Sequence, residues 1–314
     1  MINHKNTINF LDKLLHQKSI IKIDGDLDIS YFKSGGGTHL YLIQTKRKKY
    51  LARVNYYNLK NEWRIKEHEF KVLKLLEKQK IAPKVFYFSN KNELNQHFTI
   101  VEYMEGGPIK KLKDIHIVSL ANTLKKLHQN IKFKKSGDYL PPTDKLPYHC
   151  DIFNEFANGE DKQIEKYNLP GIEKVIQSYN TIKKELGDWF NALEIFENCK
   201  EFSLCHADLK LENILENKNK VILIDWECAG SDIPETDIGR LFSGCQLNKK
   251  QQELFLEKYY KKNPSNITMQ KIYAVKTVLD FFRIIEDYIL LRRKKWSSEN
   301  MLLELRKFEK NIKF

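Results

Sequence analysis

Two short stretches, HADLKLEN (His206–Asn213) and KVILIDWE (Lys220–Glu227), constrain this chain more than any other feature. The first sets a carboxylate, Asp208, five residues before an amide, Asn213, in what reads as a short loop. The second contains VILID, an apolar run that reads as a buried strand and ends on another carboxylate, Asp225. The linking LENKNK is polar and turn-like, so residues 214–224 read as a hairpin that returns Asp225 to the side of Asn213. Packing alone has little use for such a pattern, whereas phosphoryl transfer does. That chemistry needs a carboxylate to orient the attacking hydroxyl and take its proton. It also needs oxygen ligands to hold Mg²⁺ against the phosphates, and a cation to hold the phosphates themselves. Asp208 suits the first task, and Asn213 with Asp225 the second.

HADLKLENIL with ILIDWE, Asp225 lying twelve residues beyond Asn213, resembles the aminoglycoside phosphotransferase and choline kinase superfamily. The resemblance implies an α+β, protein-kinase-like two-lobe fold. Residues 1–104 form a small antiparallel N-lobe with one helix that binds the nucleotide. Residues 105–314 form a larger, mostly helical C-lobe with the catalytic loop and the acceptor site. It implies ATP and Mg²⁺ as cofactors, Asp208 as catalytic base, and Asn213 and Asp225 as metal ligands. By the same resemblance His206 braces the catalytic loop, and Asp237 in DIGRLF holds that loop from a helix behind it.

The N-terminal half offers the remaining parts in the matching order. ISYFKSGGGTHLYLIQTKRKKYLARVNYY alternates apolar and polar residues over three runs, broken at Gly35–Gly37 and around Lys46–Lys49. Ser34, Gly35, Gly36, Gly37 and Thr38 would form the first turn, where glycines let backbone amides approach phosphates. It matches neither a Walker A loop nor GxGxxG. YLARV presents Arg53, which the resemblance makes the phosphate-facing cation, with Glu69 on the following helix as its partner. KVFYFS and HFTIVEYM read as two further strands. Glu102, Tyr103 and Met104 at the end of the second would meet adenine, and EGGPIKK marks the boundary.

Beyond it the pattern turns helical. IVSLANTLKKLHQN, residues 171–196, residues 251–260 and MQKIYAVKTVLDFFRIIEDYILLRRKKW each read as helix. His128 at the end of LKKLH reads as structural. The acceptor is expected to be a small alcohol rather than a peptide, because no activation segment or open platform follows Asp225. IDWECAGSD resembles most the choline and ethanolamine kinase branch, with Cys228 where an aromatic often stands. Glu227, Glu286 and Asp287 are the candidate acidic residues for a cationic acceptor, with Trp226, Tyr148, Phe281, Phe282, Tyr288 and Trp296 as candidate cage aromatics. Aromatics at helical spacing are also what a core requires. An aminoglycoside or sugar acceptor stays open.

Composition excludes other classes. A net charge of +13 could serve a polyanion partner, but the lysines are spread along the whole length, which suits a solvated basic surface with no dedicated nucleic acid. Five widely spaced cysteines without CxxC argue against a disulfide framework or a zinc site. No run reaches the ~18 apolar residues of a membrane span. The expectation is a soluble, cytoplasmic protein. A non-catalytic nucleotide-binding relative would lack Asp208 or Asp225, and both are present.

Overall fold

In the β3 strand Lys49–Asn55, side chains alternate between two destinations, and this alternation organises the first half of the chain. Tyr50, Ala52 and Val54 enter a core on one face, together with Tyr41 and Ile43 of β2 (Thr38–Gln44) and Phe98 and Ile100 of β5 (Phe98–Glu102). Arg53 points the other way. With β1 (Asp28–Gly35) and β4 (Val85–Ser89), these strands form a five-stranded sheet in the order β1-β2-β3-β5-β4, antiparallel throughout. The protein is described by a computed structural model covering residues 3–35, 37–55, 62–135, 170–196, 199–289 and 297–311.

The described residues divide into two compact units, one built on residues up to Lys111 with Glu212–Ala229, the other on the rest. In the first, the expected helix is α2 (Glu62–Leu76), which packs on β4 and β5. A second helix, α1 (His4–Gln17), closes the opposite face by burying Leu11, Leu14 and Leu15 in the strand core. Asn3 caps α1 by accepting from the amides of Lys5 and Asn6. A short strand β6 (Gly107–Pro108) pairs with β9 (Ile214–Asn217), and β9 pairs in turn with β10 (Lys220–Leu223). Gly106 has φ +129°, and a Cβ there would lie 2.1 Å from the Glu216 carbonyl oxygen, so only glycine fits this approach.

The second unit is mostly helical. A three-stranded sheet orders β7 (Lys132–Phe133), β8 (Phe202–Cys205) and β11 (Gly230–Asp232) as β11-β8-β7. Around it stand α3 (Asp114–Asn130), α4 (Ile172–Asn191), α5 (Pro234–Gly244), α6 (Lys249–Tyr260), α7 (Asn266–Ile289) and α8 (Ser298–Asn311). Val175, Tyr179, Ile182 and Leu186 of α4 interdigitate with Val275, Val278, Phe281 and Phe282 of α7 and with Met301 and Leu305 of α8. Where α5 crosses α7, Gly239 lets the backbones close: a Cβ there would sit 2.7 Å from Val275 Cβ. Among the described residues, no helix is long and apolar enough to cross a membrane.

Candidate active site

In the first unit the hairpin does what its sequence suggested. Register pairs Ile214 with Leu223, and the Ile224 amide donates to the Asn213 carbonyl at 3.0 Å. Asn213 and Asp225 therefore share the open end of one hairpin. Asp225 leaves the strand at φ +67°, a backbone region costly for a non-glycine residue.

Arg53 reaches this end from β3. Its Nη1 donates to Glu69 Oε1, and its Nη2 donates to Asp225 Oδ1 at 3.2 Å. Glu69 is 1% exposed, so its charge depends on partners. Burial works against the Arg53 guanidinium, but Glu69 and then Asp225 more than offset it and push its pKa up. A second cation, missed by the sequence reading, stands beside it. Lys66 Nζ lies 2.5 Å from Glu227 Oε2 and 3.8 Å from Glu69 Oε2. Burial likewise opposes the Lys66 charge, and Glu69 and Glu227 hold its pKa up against the repulsion of Arg53. Lys66 sits one turn before Glu69 on α2, which is the only hint the sequence contained.

The other expected nucleotide residues fall as follows. Gly35 pairs with Thr38 across the β1–β2 turn, Gly37 has φ +78°, and Gly36 lies outside the described residues. The Ser34 hydroxyl meets Tyr31 Oη at 2.7 Å and also His39 Nδ1. The Thr38 hydroxyl donates to Asn55 Oδ1 at 3.3 Å. At the end of β5 the Glu102 amide donates to the Lys84 carbonyl and the Tyr103 amide to that of Lys49. Among the described residues, the Met104 amide and carbonyl have no hydrogen-bond partner.

In the second unit, one carboxylate organises the segment that leads into Asp208. Asp237, in the first turn of α5 and wholly buried, accepts from the His206 amide through Oδ2 and from the Ala207 amide through Oδ1, both at 2.8 Å. Ala207 has φ +62°, a strained conformation that this double contact supports immediately before Asp208. His128 Nε2 meets Asp237 Oδ2 at 3.0 Å, and His128 Nδ1 meets Tyr259 Oη at 2.8 Å. With Nε2–H donating to the carboxylate, a neutral His128 accepts from the tyrosine hydroxyl. Burial raises the Asp237 carboxyl, but the hydrogen bond from His128, then His206 and the Ala207 amide, bring it below the ordinary carboxylate range.

The Asp208 amide donates to His206 Nδ1 at 3.3 Å, so His206 braces the loop from within. Lys210 Nζ lies 2.7 Å from Asp208 Oδ2, a cation inside the motif that the sequence reading passed over. On the loop's other side, a Cβ on Gly244 would fall 2.2 Å from the Leu209 carbonyl oxygen.

Only some of the acceptor candidates have described side chains. Glu227 is engaged by Lys66. Glu286 and Asp287 ride on α7, with their side chains outside the described residues, as are Tyr288 in the same way and Tyr148 and Trp296 entirely. Trp226, Phe281 and Phe282 are buried core residues, and Trp226 Nε1 donates to the Leu223 carbonyl.

Comparison with known proteins gives the family and the fold. The sequence model of the family described as choline/ethanolamine kinase matches residues 29–314. A LicA homologue from Mycoplasma capricolum is 25% identical over 191 residues, covering 60% of this chain and 68% of that protein. The structure of choline kinase LicA from Streptococcus pneumoniae superimposes with a TM-score of 0.55 at 20% identity, covering 96% of this chain and 98% of that one. That of a spectinomycin phosphotransferase with ADP and spectinomycin gives 0.58 at 15% identity, covering 100% and 95%.

Proposed function

Since the chain belongs to the choline/ethanolamine kinase family and is a small-molecule kinase, we propose that it transfers the γ-phosphate of ATP to the hydroxyl of an amino alcohol, choline or ethanolamine. The observation that carries the reading is the Arg53–Glu69–Asp225 contact at the open end of the Asn213–Asp225 hairpin. There a fixed cation stands beside oxygen donors, as nucleotide phosphates require.

Arg53 binds phosphate oxygens, and buried Glu69 keeps the planar guanidinium aimed. Lys66 and Glu227 steady that pair from the side. The unpaired Met104 amide and carbonyl bind the adenine edge. With Ser34 and Thr38 engaged elsewhere, the glycine turn serves phosphates through its backbone. Asp208 orients the acceptor hydroxyl and takes its proton, while Asp237 holds the preceding amides and Lys210 sets a cation next to the carboxylate.

The donor set fits Mg²⁺. Asn213 and Asp225 offer hard oxygens, and Asp225 Oδ2 has no hydrogen-bond partner among the described residues. When bound there, the ion would neutralise phosphate charge.

The test is nucleotide consumption with choline, ethanolamine and spectinomycin as acceptors. Turnover confined to the first two supports the proposal. Turnover with spectinomycin alone assigns the chain an aminoglycoside acceptor, and ATP consumption with none rejects both.

A further inference from the structure

The helical unit contains a cavity of about 610 Å³ that none of the residues discussed as nucleotide, metal or catalytic groups lines. Its size suits a small ligand. The end of α3, the start of α5, the end of α6, the start of α7 and the segment before β8 enclose it. We infer that it is a second ligand site, for a small molecule carrying a phosphate group.

Charge is the first argument. Lys125, Lys132, Lys200 and Lys271 line the cavity against two carboxylates, Glu201 and Glu235. Lys200 has no partner among the described residues. Lys132 and Glu201 stand 3.9 Å apart with side chains 48% and 88% exposed, a contact too loose to neutralise either. Lys125 donates to the Tyr259 carbonyl, which fixes its ammonium at the wall. Ammonium groups converging on one space supply the point charges that a phosphate binds.

The second argument is an orphan donor. Tyr260 also lines the cavity, and its hydroxyl is buried without a hydrogen-bond partner. A buried hydroxyl left unpaired is costly, and a turn of the Tyr260 ring toward the cavity would let an acceptor oxygen there satisfy it. Burial, with Glu235 adding to it, raises the Tyr260 pKa, so the phenol remains a donor at neutral pH. Glu235 places an acceptor beside that phenol and would favour a ligand that carries a donor as well as its phosphate.

The position has a consequence for catalysis. His128 and Tyr259 belong both to the cavity wall and to the hydrogen-bonded chain that ends on Asp237. A ligand here rests on the groups that hold the loop before Asp208.

Cys199, half-buried in the wall with Lys271 Nζ 3.1 Å from its sulfur, makes the test direct. The whole protein, without nucleotide, is alkylated with iodoacetamide in the presence of inorganic phosphate, O-phosphoethanolamine or chloride at matched ionic strength. Peptide mass spectrometry then reads Cys199. Cys199 labelling should slow about tenfold once a phosphate probe stands at ten times its Kd, with the chloride control unchanged. Protection by phosphoethanolamine at lower concentration than phosphate identifies a phosphorylated amino alcohol; equal protection identifies the phosphate alone. The exposed pair K132E/K200E should abolish protection, and R53A should retain it, which separates this site from the nucleotide site without using turnover. Equal labelling with and without both probes overturns the inference, as does protection that survives K132E/K200E.

Discussion

Two amides hang from the single carboxylate of Asp237, and a histidine and a tyrosine hold that carboxylate from behind. Its depressed folded pKa makes this a stability contribution with a definite sign. The contribution is present in full above the unfolded Asp value of about 3.9 and is lost as pH falls through the lower folded value. Asp237→Asn should therefore lower the melting temperature at neutral pH and flatten its fall on acidification, as thermal unfolding against pH would register. A variant curve parallel to wild type would remove Asp237 from the acid response. Glu227 gives a second prediction. Because it is bound to Lys66 beside Arg53, Glu227→Gln should raise KM for the nucleotide more than KM for the acceptor; steady-state kinetics with each varied in turn decides it. Asp208, Asn213, Asp225 and Asp237 were legible because the first three are spaced along one local motif and DIGRLF follows closely. Lys66 and Tyr259 were not, since their contacts with Glu227 and His128 span 161 and 131 residues. No local pattern records such a distance.

Elements made by strict periodicity were readable in advance. Three of the five strands announced themselves by alternation, and the hairpin by its polar turn. The α1 helix was overlooked, although Leu11, Leu14 and Leu15 already stood at helical spacing. The α8 helix was also overlooked, although Met301, Leu305 and Phe308 stand at helical spacing and pack on the core. Leu11 is wholly buried against the sheet, so Leu11→Ala should cost about 2–5 kcal/mol. Denaturant unfolding measures this, and a loss near zero would mean that α1 does not pack as described. Gly244 makes the element-scale prediction about function. A methyl group there meets the Leu209 backbone at 2.2 Å, so the catalytic loop or the end of α5 must move. Gly244→Ala should reduce kcat while leaving nucleotide affinity nearly intact, because the nucleotide residues belong to the other unit. Nucleotide binding lost in step with turnover would point to general unfolding instead.

At the scale of the molecule, the sequence foretold a sheet-bearing half and a helical half. The described residues divide at Lys111, and Glu212–Ala229 rejoins the first unit. That return brings Asn213 and Asp225 to Arg53, while Asp208 stays with the helical unit. The residues proposed for metal and phosphate thus belong to one unit and the proposed proton acceptor to the other. The acceptor's identity was least legible, because a cage is assembled from side chains far apart in sequence, and core packing selects the same aromatics, as Trp226, Phe281 and Phe282 show. Asp208 is proposed as the group through which an amino alcohol is phosphorylated, and phosphorus NMR following Mg-ATP with choline and with ethanolamine, for wild type and Asp208→Asn, measures this. The isosteric amide keeps the shape but cannot take the proton. Wild type should give a phosphomonoester signal and the variant a kcat about 10²–10⁴-fold lower, with KM for ATP nearly unchanged. An Asp208→Asn protein that forms the phosphomonoester at the wild-type rate would remove Asp208 from the chemistry.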